Sequence, residues 1–295
     1  MIMKIAITGA AGQISYALIP LLLERFKVPI ELSLIDLPDK ITMLRGLEME
    51  LEDFCFPTLK KIRSGSDEEL LFEGVDVAIF LGAKPRGPGM ERSDLITVNG
   101  ATFHRQGKIL AAKAHPKVKA IVVGNPANTN ALMLIRGGDY QLKNQVQALM
   151  RLDQNRAETA LKLAGHSHKE VFVFGNHSPT IFVHGASSEI NEFVRKRGAD
   201  VIKARGMSSQ ASAAKAVVDH LDDWMSHEDR HYSAAIYSEN NPYGVDEDLV
   251  FSFPFSNKKG ILKLPLSDLE QGMLKLTEDE MLKERQIACT IPFSN

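Results

Sequence analysis

The feature that most restricts what this chain can fold into lies at its start. An apolar, strand-like run, Lys4-Ile5-Ala6-Ile7-Thr8, ends in Gly9-Ala10-Ala11-Gly12-Gln13-Ile14-Ser15 and passes at once into an apolar helical pattern. Glycine at 9 permits a tight turn and glycine at 12 lets backbone approach a pyrophosphate. The helix that follows offers free N–H groups and the positive end of its dipole. The spacing is G-x-x-G-x-x-[GAS] with serine last, not G-x-G-x-x-G, and taken alone it fits a purely structural turn about as well. A second strand candidate, Leu32-Ser33-Leu34-Ile35, adds weight because it ends at Asp36, where a dinucleotide fold sets an acid on the adenosine ribose hydroxyls. An acid there repels a 2′-phosphate, so NAD is expected rather than NADP; the alternative is that Asp36 only caps a loop before Pro38. No G-K-[ST] follows the glycines, which leaves a nucleoside triphosphatase with little support.

The first half continues the alternation that this turn begins. Val75 to Leu81 and Ala120 to Val123 are further strand candidates, and short strands alternating with helices predict an α/β fold with a parallel sheet. Leu44, Leu47, Leu51 and Phe54 form one stripe of a helix that Pro57 must stop. Pro20, inside the first helical pattern, is expected to kink that helix or end it early. The second half differs: helical patterns at Asn155 to Ala164 and Ser209 to Trp224 flank irregular segments holding Val171 to Phe174 and Leu249 to Phe253. That pattern predicts an α+β domain, with the boundary near residue 150. Thr277 precedes Glu280 by three residues, a capping-box pattern that predicts a helix running from there to about Ile287.

Bulk properties exclude several classes of function. A chain of 295 residues is about two domains long. A formal net charge of −2 with no basic run argues against nucleic-acid or membrane-surface partners. The longest apolar stretch, Tyr16 to Leu23, is well short of the roughly 20 residues that cross a bilayer. Cys55 and Cys289 are too few and too far apart for a disulfide framework and make no metal-ligand pair. With no signal-like segment after Met1, a cytoplasmic location and no metal are expected.

Five ordered motifs carry a resemblance: Gly9 to Ile14; Gly89-Met90-Glu91-Arg92-Ser93-Asp94-Leu95; Val122-Val123-Gly124-Asn125-Pro126-Ala127-Asn128-Thr129-Asn130; Arg151-Leu152-Asp153-Gln154-Asn155-Arg156-Ala157; and Gly175-Asn176-His177-Ser178. Similarity resumes through Val201 to Arg205 and Ser212 to Ala216 and reaches Tyr243-Gly244-Val245. Over nearly its whole length the chain resembles the cytosolic-type malate dehydrogenases of the lactate/malate dehydrogenase family. The resemblance implies a Rossmann-type doubly wound parallel sheet in residues 1–150 that binds NAD, followed by an α+β substrate-binding domain in 151–295. It also implies a homodimer. The stripe Leu44, Leu47, Leu51 resembles the helix through which family members pair, although a buried intramolecular helix explains it equally well.

Hydride transfer from a 2-hydroxy acid needs a base for the hydroxyl proton, a group that holds the base's tautomer, and cations for the carboxylates. His177 suits the first role, since imidazole titrates near working pH, and Asp153 the second, by accepting from the other ring nitrogen and raising the histidine pKa. Without its flanking motif, one histidine among nine is more readily a surface or core residue. Arg156, three residues beyond Asp153, can grip a carboxylate bidentately; an i,i+3 surface ion pair is the bland alternative. The Gly/Pro-rich stretch Lys84 to Arg92 reads as a loop able to close, or as a solvated basic loop. By resemblance, Arg92 polarises the substrate carbonyl and Arg86 meets the second carboxylate of malate or oxaloacetate. Arg86 disfavours a lactate enzyme, because a second cation opposite a methyl group would be left unpaired. The resemblance places Asn128 against substrate and nicotinamide, lines the cofactor groove with Asn99, Gly9, Gly12, Gln13 and Ile14, and sets the small Ser233 beside the nicotinamide.

One departure stands out. Between His177 and Phe193 the family pattern usually carries a longer segment with extra strands, here reduced to Ser178 to Glu192, so a hairpin is expected to be missing. The competing readings are a catalytically weakened dinucleotide-binding protein of the same fold and a dehydrogenase for another 2-hydroxy acid.

Overall fold

A run of residues apolar on both faces has no solvated side and belongs in the middle of a parallel sheet. The first strand, β1 (Met3–Thr8), shows this: Ile5, Ala6 and Ile7 are all buried. In a computed structural model of the chain, residues 2–84, 92–166 and 170–292 are described, Arg92 by its backbone alone. Their contacts form two compact units, residues 1–147 with 287–295, and residues 148–286.

In the first unit β1 is followed by α1 (Gln13–Arg25), β2 (Ile30–Ile35), α2 (Ile41–Asp53), β3 (Leu59–Gly65), a one-turn α3 (Glu68–Leu71) and β4 (Val77–Phe80). Then come α4 (Arg92–Lys113), β5 (Lys119–Val122), α5 (Ala127–Gly137) and the start of β6 (Val146–Leu149). The spatial order is β6-β5-β4-β1-β2-β3. β1 pairs in parallel with β2 on one side and β4 on the other, and β2–β3 and β4–β5 are parallel too. After β3 the chain crosses to the far side of β1, so winding direction reverses between β1 and β4. This is the Rossmann arrangement, in which ligands bind outside the carboxyl ends of the strands at that reversal.

The second unit holds the end of β6, α6 (Arg151–Leu163), β7 (Val173–Phe174), β8 (Phe182–Val183), α7 (Ser188–Arg205), α8 (Ala211–Met225), β9 (His231–Tyr237), β10 (Val250–Ser256), β11 (Gly260–Ile261) and most of α9 (Asp268–Cys289). β9, β10 and β11 are antiparallel, and Ala148 and Leu149 of β6 pair antiparallel with β9. β7 and β8 form a separate antiparallel hairpin. Its Phe174 and Phe182 rings stack with centroids 5.1 Å apart over a core of Leu249, Phe251, Phe253 and Met281.

One expectation is corrected. α9 starts at Asp268, not near Thr277. The real capping box is Ser267 with Glu270: the Ser267 N–H donates to Glu270 Oε2 at 2.9 Å, and Ser267 Oγ accepts the Glu270 N–H at 3.4 Å. Thr277 is fully buried mid-helix. Pro20 does not end α1, which continues to Arg25. The α2 stripe is buried inside its own chain, with Leu44, Leu47 and Leu51 at most 6% exposed; only Phe54, beyond the last helical residue, is open. The hairpin β7–β8 carries His177 in its connection, so the shortened segment still closes a two-stranded ribbon.

Candidate active site

The nucleotide turn sits where the winding reverses. Gly9 has φ +67°, and a Cβ there would lie 2.6 Å from Gly82 Cα, in the backbone that follows β4. Only glycine satisfies both the left-handed conformation and the close approach. Gly12 caps α1 in an extended conformation with no side-chain hydrogen bond, and the first turn of α1 has no acidic residue. The helix therefore presents bare N–H groups and an uncompensated positive end. Gly12 and Gln13 are exposed and Ile14 is half-buried. Asp36 follows β2 directly; its Oδ2 accepts the Ala11 N–H at 2.8 Å and its Oδ1 the Leu37 N–H at 2.8 Å. The second strand's acid is thereby fixed against the glycine turn. A phosphate cradle with an acid at its flank is what a dinucleotide requires, and the residues present fit NAD.

Asn99, on α4, is buried. Its Oδ1 accepts the Lys84 N–H at 2.8 Å, while Nδ2 donates to the carbonyls of Lys84 and Asn125 at 3.2 and 3.1 Å. It ties the segment after β4 to the segment after β5. Asn128 is fully buried in the first turn of α5, two residues after the cis Asn125–Pro126 bond. Near it Asn130 Nδ2 donates to the Gly124 carbonyl at 2.8 Å.

In the second unit the residues expected to carry acid–base chemistry, Asp153 and His177, are brought together. Asp153 lies in the first turn of α6, where a carboxylate complements the dipole, and its side chain is only 4% exposed. One carboxylate oxygen, Oδ2, meets His177 Nδ1 at 2.6 Å; the other accepts from Arg156 Nη1 at 3.2 Å. Arg156 Nη2 also donates to Ser209 Oγ at 3.3 Å, and Gly198 of α7 lies against the guanidinium. An ion pair this buried is no solvated i,i+3 surface pair. Because a carboxylate accepts, this contact places the imidazole proton on Nδ1.

His177 is the middle residue of a three-residue turn closed by the Ser178 N–H donating to the Asn176 carbonyl at 2.7 Å. The hairpin below is anchored by two buried serines: Ser233 Oγ accepts the Val173 N–H at 2.9 Å, and Ser252 Oγ donates to the Val173 carbonyl at 2.7 Å. Ser233 is fully buried, and its hydroxyl belongs to this clamp. Arg86 lies outside the described residues, as does the Arg92 side chain. Among the described residues no group of three or more His, Cys, Asp or Glu could hold a metal ion, and no helix is long and apolar enough to cross a membrane.

Thr277, Glu280 and Glu284, which hold the His177 turn from α9, were not foreseen as site residues. Their i, i+3, i+7 spacing puts three polar groups on one helical face, and that was the available signal.

Comparison with known proteins agrees with this arrangement. Residues 3–147 match the lactate/malate dehydrogenase NAD binding domain and residues 185–290 the lactate/malate dehydrogenase alpha/beta C-terminal domain. A probable malate dehydrogenase of Dictyostelium discoideum is 39% identical over 330 residues, with 97% of each chain covered. That alignment is longer than this chain, so the relative has segments that this chain lacks. Among solved structures, a malate dehydrogenase from Naegleria fowleri is 32% identical with a TM-score of 0.91, covering 98% of each chain. The Trichomonas vaginalis lactate dehydrogenase in complex with NADH and oxamate is 30% identical with a TM-score of 0.89, covering 97% of this chain and 98% of that one. With both domains matched and the likeness running from end to end, the chain belongs to the lactate/malate dehydrogenase family.

Proposed function

We propose that this protein is an NAD-dependent malate dehydrogenase that interconverts (S)-malate and oxaloacetate. The observation that carries the reading is the shared carboxylate of Asp153, with His177 on one oxygen at 2.6 Å and Arg156 on the other at 3.2 Å. A scaffold that only bound dinucleotide would need no such combination. In this reading residues 1–150 serve as the NAD-binding domain and residues 151–295 as the substrate-binding domain.

Bound NAD supplies the hydride acceptor. Gly9, Gly12, Gln13 and Ile14 would hold its pyrophosphate, Asp36 its adenosine ribose, and Asn99 and Asn128 would line its groove. In malate oxidation His177 takes the C2 hydroxyl proton at Nε2; in oxaloacetate reduction it returns that proton. Asp153 keeps Nδ1 protonated and stabilises the imidazolium. Arg156 uses two donors within the protein and a guanidinium has five, so it retains N–H groups for the substrate's C1 carboxylate. Arg92 polarises the C2 carbonyl and Asn128 touches substrate. Arg86 takes the second carboxylate, and that distinguishes a four-carbon diacid from lactate.

The direct test is oxidation of NADH with oxaloacetate, run in parallel with pyruvate and with NADPH. Oxaloacetate and NADH should be the preferred pair. Cofactor binding without turnover would replace this reading with the weakened dinucleotide-binding protein, pyruvate as the better substrate would replace it with a lactate enzyme, and preference for NADPH would overturn the role of Asp36. We also infer a cytoplasmic homodimer. Met43 and Met49 on α2 and Phe54 just beyond it are each more than half exposed, which supports an apolar contact there. A monomeric mass by light scattering at micromolar concentration removes that inference.

A further inference from the structure

A hydrogen bond from Nδ1 to Asp153 fixes one atom of the imidazole, and the backbone that carries the ring sets where the rest of it sits. The backbone carrying the ring needs its own anchor, and α9 supplies one. The Asn176 N–H donates to Thr277 Oγ1 at 2.9 Å, and Asn176 Nδ2 donates to Glu280 Oε2 at 3.1 Å and Glu284 Oε1 at 2.9 Å. On the other side of the histidine, Ser178 Oγ donates to the same Glu280 oxygen, and Thr180 Oγ1 lies 2.6 Å from it. Residues immediately before and after His177 thus share one acceptor. Among the described residues, the hydrogen bonds of Glu280 all run to this turn and none to a lysine or arginine. An ionised carboxylate offers only acceptors, so it gathers these donors without competing for them.

The approach of the turn to α9 is equally close in the backbone. Gly175 has φ +99°, and a Cβ there would lie 2.5 Å from Thr277 Oγ1. Among the described residues, charged groups reach His177 and its turn from separate elements: Asp153, with Arg156 behind it, from α6, and Glu280 and Glu284 from α9.

We propose that Glu280 is a positioning residue for His177: it clamps the Asn176 to Thr180 turn so that the imidazole keeps its alignment on Asp153. Proton exchange itself stays with His177, and the proposal rests on the reading of His177 as the acid–base group. Small displacements of a reacting group cost rate steeply, about a hundredfold for 1 Å, so releasing the clamp reaches turnover before it reaches cofactor binding.

The test uses the full chain, unaltered and as two variants, Glu280→Gln and the double variant Ser178→Ala/Thr180→Ala. The double variant removes the two hydroxyl donors that hold the far side of the turn to Glu280, keeps the Asn176 bonds and leaves the Glu280 charge in place, which separates positioning from a change of local charge. Oxaloacetate reduction is followed across pH, and the low-field proton resonance of the His177–Asp153 hydrogen bond, identified by its loss in Asp153→Asn, is followed without substrate. Both variants should lose at least tenfold in kcat with KM for NADH within twofold, show a displaced histidine limb in the pH–rate profile, and shift or broaden the resonance. Unchanged kcat per folded molecule, pH profile and resonance in the double variant overturn the proposal, even if melting temperature falls. If Glu280→Gln does not fold, the double variant decides alone. If the unaltered chain does not reduce oxaloacetate, the functional reading fails while the resonance still decides the positioning role.

Discussion

The turn at residues 9–14 is made of backbone, whereas the turn at 175–180 is made of side chains. In the first, two glycines and an uncapped helix end leave backbone N–H groups bare while Asp36 fixes the turn by accepting the Ala11 N–H, and the deciding contacts lie within a few residues of one another or across two adjacent strands. In the second, the histidine is located by Asp153 from 24 residues before it and by Thr277, Glu280 and Glu284 from about a hundred residues after it. A backbone site tolerates many side chains but no added Cβ. A side-chain site tolerates local backbone change but not the loss of one partner. The two regions should therefore fail in opposite ways.

The largest effect separates them most sharply. His177→Gln removes the proton carrier while leaving the glycine turn alone, so kcat for oxaloacetate reduction should fall by roughly 10²–10⁴-fold, with NADH affinity by fluorescence titration unchanged. A parallel loss of NADH affinity would show that the two regions are not independent. Next comes Arg86→Gln. Breaking a desolvated charge pair costs about 3–5 kcal/mol, so the ratio of kcat/KM for oxaloacetate to that for pyruvate should drop at least a hundredfold. Arg156→Gln should damage both reactions without reversing the preference. An unchanged ratio in Arg86→Gln would remove that residue from substrate discrimination.

Gly9→Ala inverts the first result. A Cβ at φ +67° and 2.6 Å from Gly82 Cα forces the turn to shift, with strain on the order of 1–3 kcal/mol. KM for NADH should rise about tenfold or more, with kcat at saturating NADH near that of the unaltered chain. A variant with normal KM would mean that the turn does not bind cofactor.

The smallest effect concerns acid stability of the side-chain unit. His220 is fully buried on α8, and burial, helped by the nearby Arg151, lowers its pKa to about 3. In the unfolded chain it titrates near 6.5. The folded form refuses a proton that the unfolded form accepts, so this stability is fully present above pH 6.5 and is lost as pH falls toward 3. The slope is about 1 kcal/mol per pH unit. Denaturant melts at pH 7, 6 and 5 should show it, and His220→Phe should flatten it; an equally steep slope in that variant would assign the acid sensitivity elsewhere.

Legibility in the sequence follows the same division. The glycine turn, the first four strand candidates and Asp36 could be read because each depends on local pattern, and parallel strands buried on both faces announce themselves as short apolar runs. β3 escaped because Lys60, Lys61 and Arg63 interrupt its apolar pattern. β9 escaped because its buried Ser233 reads as a loop residue until Val173 and Gln154 are seen to satisfy it. His177, Asp153 and Arg156 were named through the family motifs, since nothing local marks one histidine of nine as paired. The Thr277–Glu280 pattern was legible as chemistry but misplaced as structure. A threonine followed three residues later by glutamate looks the same at a helix start as on a helix face, and only tertiary contact decides between them.

The end of the chain carries one more consequence. α9 belongs to the second unit as far as Gln286, but the described residues from Ile287 to 292 belong to the first. There Ile291 is buried so close to Gly100 that a Cβ on that glycine would lie 2.6 Å from Ile291 Cδ1, and the Cys289 thiol lies 2.8 Å from Arg136 Nη1. The amino-terminal half is thus not a detachable module. A gene fragment cut after Gln147 would encode a unit without Ile291 against Gly100 of α4 or Cys289 against Arg136 of α5.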